Sequence, residues 1–173
     1  AIAALGLAAC TQGAAPTSSQ STNASTDNAS ATQASSVTID ANDGPVDIKL
    51  PVTRAASLDN RTFEVLQQWN VPLVAAPKKL IPTTVTAFNG EEVADVGMHR
   101  DPNLEALVAA NPDLIISGQR FAKFDTQIKE LAPDVPLINL EPRDGEPFNE
   151  ELIRQVTDLG KIFDKQSEAS KLV

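Results

Sequence analysis

Arginines and amides collect where a ligand rich in anionic oxygens would need them. Asn60-Arg61, His99-Arg100, Gly118-Gln119-Arg120 and Arg143 all fall in short polar segments beside apolar runs. Guanidinium is planar, permanently charged and forked, so it grips anionic oxygens with a fixed geometry. Arg54 and Arg154 lie elsewhere, and the lysines scatter over predicted helix faces and turns. Loop arginines also serve as solvated charge or pair locally, and Arg143 beside Asp144 fits that description. Arg61 is evenly balanced between the two roles. The weight of a binding reading therefore falls on Arg100 and Arg120. A lone histidine is more often an edge residue than a metal ligand. At the same rim as Arg100, His99 reads as a pocket liner.

The same inventory argues against other chemistries. No phosphate loop, dinucleotide fingerprint or GxSxG nucleophile motif is present. Ser117-Gly118 is not a nucleophile elbow, and no aspartate is placed to orient His99. Glu91-Glu92 and Glu150-Glu151 read as solvated charge rather than acid–base pairs. One histidine, one cysteine and no tyrosine are too few for a bare transition-metal site built from this chain. A net charge of -9 leaves no nucleic-acid footprint.

The elements that must hold these loops follow from periodicity. Val37–Asp40 and Val46–Leu50 alternate apolar and polar around the turn cluster Ala41–Pro45, which predicts a hairpin. Ala55–Leu58 reads as a short weak strand, with Asp59-Asn60 as the cap of a helix striped by Phe63, Leu66 and Trp69. Trp69 reads as core. Pro72–Ala76 is the next strand, and residues 78–92 are an irregular connection. Asp101 and Pro102 read as the cap and first residue of a helix whose Leu104, Leu107 and Val108 face inward. Asn111–Asp113 stops it. Leu114–Ile116 is a continuous apolar run, expected of a strand buried on both faces. A helix marked by Phe124, Ile128 and Leu131, a strand over Val135–Leu140 and a helix striped by Leu152, Val156, Leu159 and Phe163 complete the pattern. Strand and helix thus alternate from Ala55 to Phe163. The expectation is α/β: a parallel sheet sandwiched by helices. In such sheets ligands sit beyond the carboxyl ends of the strands, where the loop arginines fall.

Upstream, Ala1–Cys10 reads as the end of a signal-peptide apolar region, too short to span a membrane. Leu7-Ala8-Ala9-Cys10 resembles a bacterial lipobox, which makes Cys10 the expected lipidation site. Residues 11–36 are Ser, Thr, Ala, Asn and Gln with a single charge, Asp27. Such a tract cannot bury enough surface to offset its chain entropy and reads as a flexible tether. The folded region is expected over 37–165.

Taken together, the lipobox, the tether, SLDNRTFEVLQQW (Ser57–Trp69) and DVGMHRDPNLEALVAANPDLIISGQR (Asp95–Arg120) resemble the iron-siderophore substrate-binding lipoproteins of ABC importers. NLEALVAANPDLIISG is the most specific piece. The resemblance implies two α/β lobes joined by a long helix, with ligand between them and no catalysis. This chain would be the N-terminal lobe, with residues 166–173 starting the joining helix. It implies no intrinsic cofactor: the ferric siderophore is the ligand, and its chelator supplies the iron donors. Arg120, Arg100, Gln119, Arg61, His99, Asn60 and Gly118 would contact that ligand. Related catecholate receptors carry arginine directly after the Ser-Gly strand end. Here Gln119 and Arg120 are exchanged, so either is expected to reach it. His99 and Gly118 match pocket positions of cobalamin-binding cousins, and Glu105 matches a surface glutamate that docks onto permease arginines. The resemblance further implies a monomer, lipid-anchored outside the cell membrane, and the low-complexity tether suggests a Gram-positive, actinobacterial envelope. Haem or cobalamin binding on the same fold is one alternative. An enzyme on a nucleotide-binding-type sheet, or an envelope interaction module, are others.

Overall fold

Small and branched residues set the centre of the sheet. The computed structural model describes residues 35–173. β3 (Ala55–Ser57) is fully buried between β4 (Leu73–Ala76) and β8 (Leu114–Ser117), and all its pairings are parallel. β5 (Ala94–Asp95) and β9 (Leu137–Asn139) complete a parallel sheet in the order β5-β4-β3-β8-β9. The apolar run in β8 divides as a strand period demands. Leu114 and Ile116 enter one cluster, with Phe63, Leu66, Trp69, Leu159 and Ile162. Ile115 enters the other, with Leu107, Phe121 and Ile128.

Helices cover both faces. α1 (Phe63–Gln68) and α4 (Phe148–Ile162) pack on the first face; α2 (Leu104–Ala109) and α3 (Asp125–Leu131) pack on the second. The expected hairpin forms from β1 (Ser36–Ala41) and β2 (Gly44–Lys49), joined by Asn42-Asp43. Its Ile39 and Ile48 join the first cluster. Trp69 is core, as expected, and its indole N–H has no partner among the described residues. α5 (Gln166–Ala169) is a four-residue helix. It crowds α4 at Gly160, where a Cβ would sit 2.8 Å from the Ala169 methyl.

Three local expectations are corrected. Asp101-Pro102 does not open a helix. Those residues form β7 (Asp101–Pro102), paired antiparallel with β6 (Gly97–Met98). The cap of α2 is Asn103, whose side chain accepts from the Ala106 amide at 2.9 Å. Proline's fixed φ suits an extended strand as well as a first helical turn, and Asn103 is the better-placed capping oxygen. Asp59-Asn60 does not cap α1, which starts after Thr62. The Asp59 carboxylate is used inside the protein instead.

The third correction concerns α4. Its buried positions are Glu151, Gln155, Asp158, Leu159, Gly160 and Ile162. Leu152 and Val156 are half-buried, while Phe148 and Ile153 are exposed. Polar side chains turn inward because partners wait for them. Arg143 binds Glu151 through Nε at 3.0 Å and Nη2 at 2.8 Å. Arg154 adds Nη2 at 2.7 Å and also donates to Asn42 Oδ1 and the Glu141 carbonyl. Glu151 is therefore not solvated charge, and Arg143 pairs with it and with Asp40 rather than with Asp144.

Two buried carboxylates are shifted in opposite senses. Hydrogen bonds from Arg143 and Arg154 hold Glu151 well below the usual carboxylate range. Burial pushes Asp125 up to about 6, against the opposing hydrogen bond from Ser117. Glu151 contributes stability that is complete above the ordinary carboxylate pKa and is lost as pH falls below it. Glu151→Gln should lower Tm by roughly 10 °C at neutral pH, and by less below about pH 4. Asp125 behaves oppositely: its contribution is present at about pH 4 and is lost as pH rises through about 6. Asp125→Asn keeps an acceptor for Ser117 and should raise Tm by roughly 5 °C at about pH 8, with no gain at about pH 4. Thermal melts across pH check both.

Candidate functional site

The carboxyl ends of β3, β8 and β9 lie side by side, with Ser57 opposite Ile116 and Ser117 opposite Asn139. The loops leaving them converge on Asp59, which is completely buried. Its Oδ1 accepts from the Arg61 amide at 3.0 Å and from Gln119 Nε2 at 2.8 Å. Its Oδ2 accepts from Gln155 Nε2 at 3.0 Å. A buried carboxylate persists only when such donors surround it. Gly118 allows the approach: a Cβ there would stand 3.1 Å from Asp59 Oδ2.

Above this anchor lies a cavity of about 260 Å³ lined by Leu58, Asn60, Leu80, His99, Gln119, Arg120 and Phe121. Gln119 has φ +52°, a costly conformation for a side chain without a local turn role. Three bonds hold it there. Its amide donates to Glu141 Oε2 at 2.9 Å, and its side chain donates to Asp59 and to Asn60 Oδ1.

His99 and Arg100 form the two-residue tip between β6 and β7. His99 Nε2 lies 3.3 Å from Arg120 Nη1. Guanidinium only donates, so Nε2 must accept, which places the ring proton on Nδ1. The Phe121 ring meets His99 edge-on, with centroids 6.4 Å apart. Loss of hydration against these neighbours, then the charges of Arg120, Arg100 and Lys123, lower the His99 pKa below its ordinary value. The ring is thus neutral at pH 7 and steers Arg120.

The expected residues separate in space. Asn60, His99, Gln119 and Arg120 share the cavity wall. Gly118 packs under it against Asp59. Arg100 stands exposed at the tip beside His99. Arg61 points to Glu141, with Nη1 3.6 Å from Oε1, and borders a separate apolar groove with Phe148, Leu152 and Ile153. Glu105 is exposed on α2, in a depression shared with Glu130 and Leu131. Cys10 lies outside the described residues. Sequence reading missed Asp59, Gln155 and Glu141 as organisers, and Leu80 and Phe121 as liners. Glu141 had one legible signal, its place directly after the β9 strand run. No group of three or more His, Cys, Asp or Glu side chains among the described residues is placed to hold a metal ion. Nor is any helix among them long and apolar enough to cross a membrane.

Comparison with known proteins points one way. Residues 56–173 match the family model described as "Periplasmic binding protein". The chain is 32% identical over 139 residues to the ferric-anguibactin-binding protein FatB of Vibrio anguillarum, covering 79% of this chain and 43% of that protein. It is 29% identical over 90 residues to the petrobactin-binding protein YclQ of Bacillus subtilis, covering 52% of this chain and 27% of that one. The chain thus spans less than half the length of these relatives. Among solved structures, the siderophore-binding protein BauB, bound to ferric iron and two acinetobactin molecules, superposes with a TM-score of 0.69 at 26% identity. That match covers 79% of this chain and 49% of BauB. The parallel sheet, the loops gathered at its carboxyl edge and the family match agree: the chain belongs to the periplasmic binding protein family.

Proposed function

We propose that the protein is the solute-binding component of an ABC importer that captures an anionic ferric-siderophore chelate and delivers it to a membrane permease. The observation that carries this reading is the 32% identity, over 79% of the chain, to a protein named for binding a ferric siderophore. The donor set supports it. Arg120, the neutral His99 and the Asn60 side-chain amide, which Gln119 holds in place, can hydrogen-bond outward-facing oxygens of a chelate, and none of them need touch iron. The chelator supplies the iron ligands, and the protein recognises the chelate's outer surface. Binding is non-catalytic. In this reading the described residues supply one wall of the binding cleft, Arg100 adds charge at its rim, and Glu105 is the permease-facing carboxylate. Lipidated Cys10 would tether the protein, as a monomer, to the outer face of a Gram-positive cell membrane.

Ferric chelates absorb where tryptophan emits, so binding should quench the fluorescence of Trp69. Titration with ferric catecholate, citrate and hydroxamate chelates should give saturable quenching by at least one. A flat response to all of them would overturn the reading. Arg120→Ala should weaken the responding chelate roughly 10- to 100-fold, while Lys49→Ala on the hairpin leaves it unchanged; equal losses would refute the site. An anionic ligand favours protonated His99, whose pKa lies below its ordinary value, so affinity should rise as pH falls through the range in which that ring takes up a proton. Repeating the titrations on His99→Gln should remove that part of the slope.

A further inference from the structure

Beside the cavity, Arg61 already faces a carboxylate, and it belongs to the chain itself. Glu141 Oε2 accepts from the Gln119 amide at 2.9 Å, and Oε1 lies 3.6 Å from Arg61 Nη1. A backbone N–H at a strand-to-helix loop together with a guanidinium is the donor set an external anion would use. Glu141 is also firmly placed. Its N–H donates to Asn139 Oδ1 at 2.9 Å, and its carbonyl accepts from Asn42 Nδ2 at 2.9 Å and Arg154 Nη2 at 3.0 Å. A glutamate on a free loop would swing away from an arriving anion; this one is anchored through its backbone. Its side chain is 28% exposed, so water screens the charge only in part. The other end of the site differs. Among the described residues neither Arg100 nor Arg120 has a carboxylate partner, and Lys123 adds to the positive field there.

We propose that Glu141 is a specificity-determining residue that fills the Arg61–Gln119 anion position from within the chain. The Arg100–Arg120 end is left to receive the ligand's negative charge. A chelate with its charge gathered on one side satisfies both ends. A chelate charged all round brings an anionic oxygen against Glu141, a like-charge contact that discriminates by repulsion. This inference rests on the chelate-binding reading above and adds the charge distribution of the preferred substrate.

Glu141→Gln keeps an oxygen to accept from the Gln119 amide and removes the charge. Two probes separate the outcomes: a ferric tris-catecholate, which is trianionic, and a ferric tris-hydroxamate, which is neutral. The variant should bind the tris-catecholate roughly tenfold tighter than the parent protein does, with the tris-hydroxamate changed by less than about twofold. Adding Arg61→Ala should cancel the gain, because the released guanidinium is what receives the charge. An unchanged ratio between the probes, or a gain that survives Arg61→Ala, overturns the proposal. A second measurement needs no ferric chelate. Metal-free citrate at constant ionic strength should raise the Tm of Glu141→Gln more than that of the parent, and Arg61→Ala should abolish the difference; equal shifts overturn the proposal. If no ferric chelate binds either protein, the chelate-binding reading fails, and the citrate comparison still decides the role of Glu141.

Discussion

The Asp59 carboxylate is completely buried, and the geometry of the binding edge depends on how that charge is satisfied. Leaving it unpaired would cost several kcal/mol, so every donor around it is held in place by the same requirement. The donors come from three parts of the chain: the Arg61 amide after β3, the Gln119 side chain after β8, and Gln155 on α4. One carboxylate thereby fixes the spacing of two loops at the carboxyl edge of the sheet and docks a helix behind them. The left-handed backbone at Gln119 and the missing side chain at Gly118 are consequences. The loop must bend tightly enough to bring an amide onto Asp59, and a Cβ at Gly118 would crowd the carboxylate at 3.1 Å.

A second buried carboxylate does for the scaffold what Asp59 does for the site. Glu151 gathers Arg143 and Arg154, and Arg154 reaches on to the hairpin through Asn42 and to the β9 loop through the Glu141 carbonyl. The arginines therefore divide by partner rather than by position in the sequence. Arg143 and Arg154 are neutralised and structural. Arg61 is half-neutralised by Glu141. Arg120 faces only a neutral imidazole, and it keeps its charge available. A guanidinium oriented by histidine rather than by a carboxylate stays attractive to an anion while remaining in one place.

This division explains what the sequence could and could not reveal. Four of the sheet's five strands were legible because they rest on short-range signals, while the two-residue edge strand β5 read as loop. Leu114–Ile116 is too apolar and too short for anything but a buried strand, and the hairpin alternates around an Asn-Asp-Gly turn. The gathering of Asn60, His99, Gln119 and Arg120 was also legible, since parallel topology brings strand ends to one edge. Two of the failures share one physical cause. The inner face of α4 also carries Glu151 and Gln155, whose partners lie 8 and 96 residues away, so a periodic reading of apolar residues found Val156, Leu159 and Phe163 against the core but missed the polar side chains buried beside them. Asp59 looked like a helix cap because local capping and long-range burial use the same side chain. Asp101-Pro102 failed for the opposite reason: two local conformations suit that pair, and pairing with Gly97-Met98 selects the extended one.

The chemistry of the cavity bears on what a ligand must bring with it. Its polar wall consists of amides, one guanidinium and an imidazole kept neutral by lost hydration and neighbouring cations. Neutral imidazole is a good metal ligand when other donors stand near it, but here its Nε2 is already engaged by Arg120. The carboxylates closest to the wall are engaged too, Asp59 by three donors and Glu141 by Gln119 and Arg61. These groups are arranged to meet hydrogen-bond acceptors and negative charge. A ligand suited to them presents oxygens outward and keeps any metal inside its own donor shell, which is the property that separates a chelate from a naked ion. In the proposed reading, selectivity follows from where on the chelate's surface the charge lies, with Glu141 held by Gln119 and Arg61, and Arg120 without a carboxylate partner among the described residues, as the groups that would sense it.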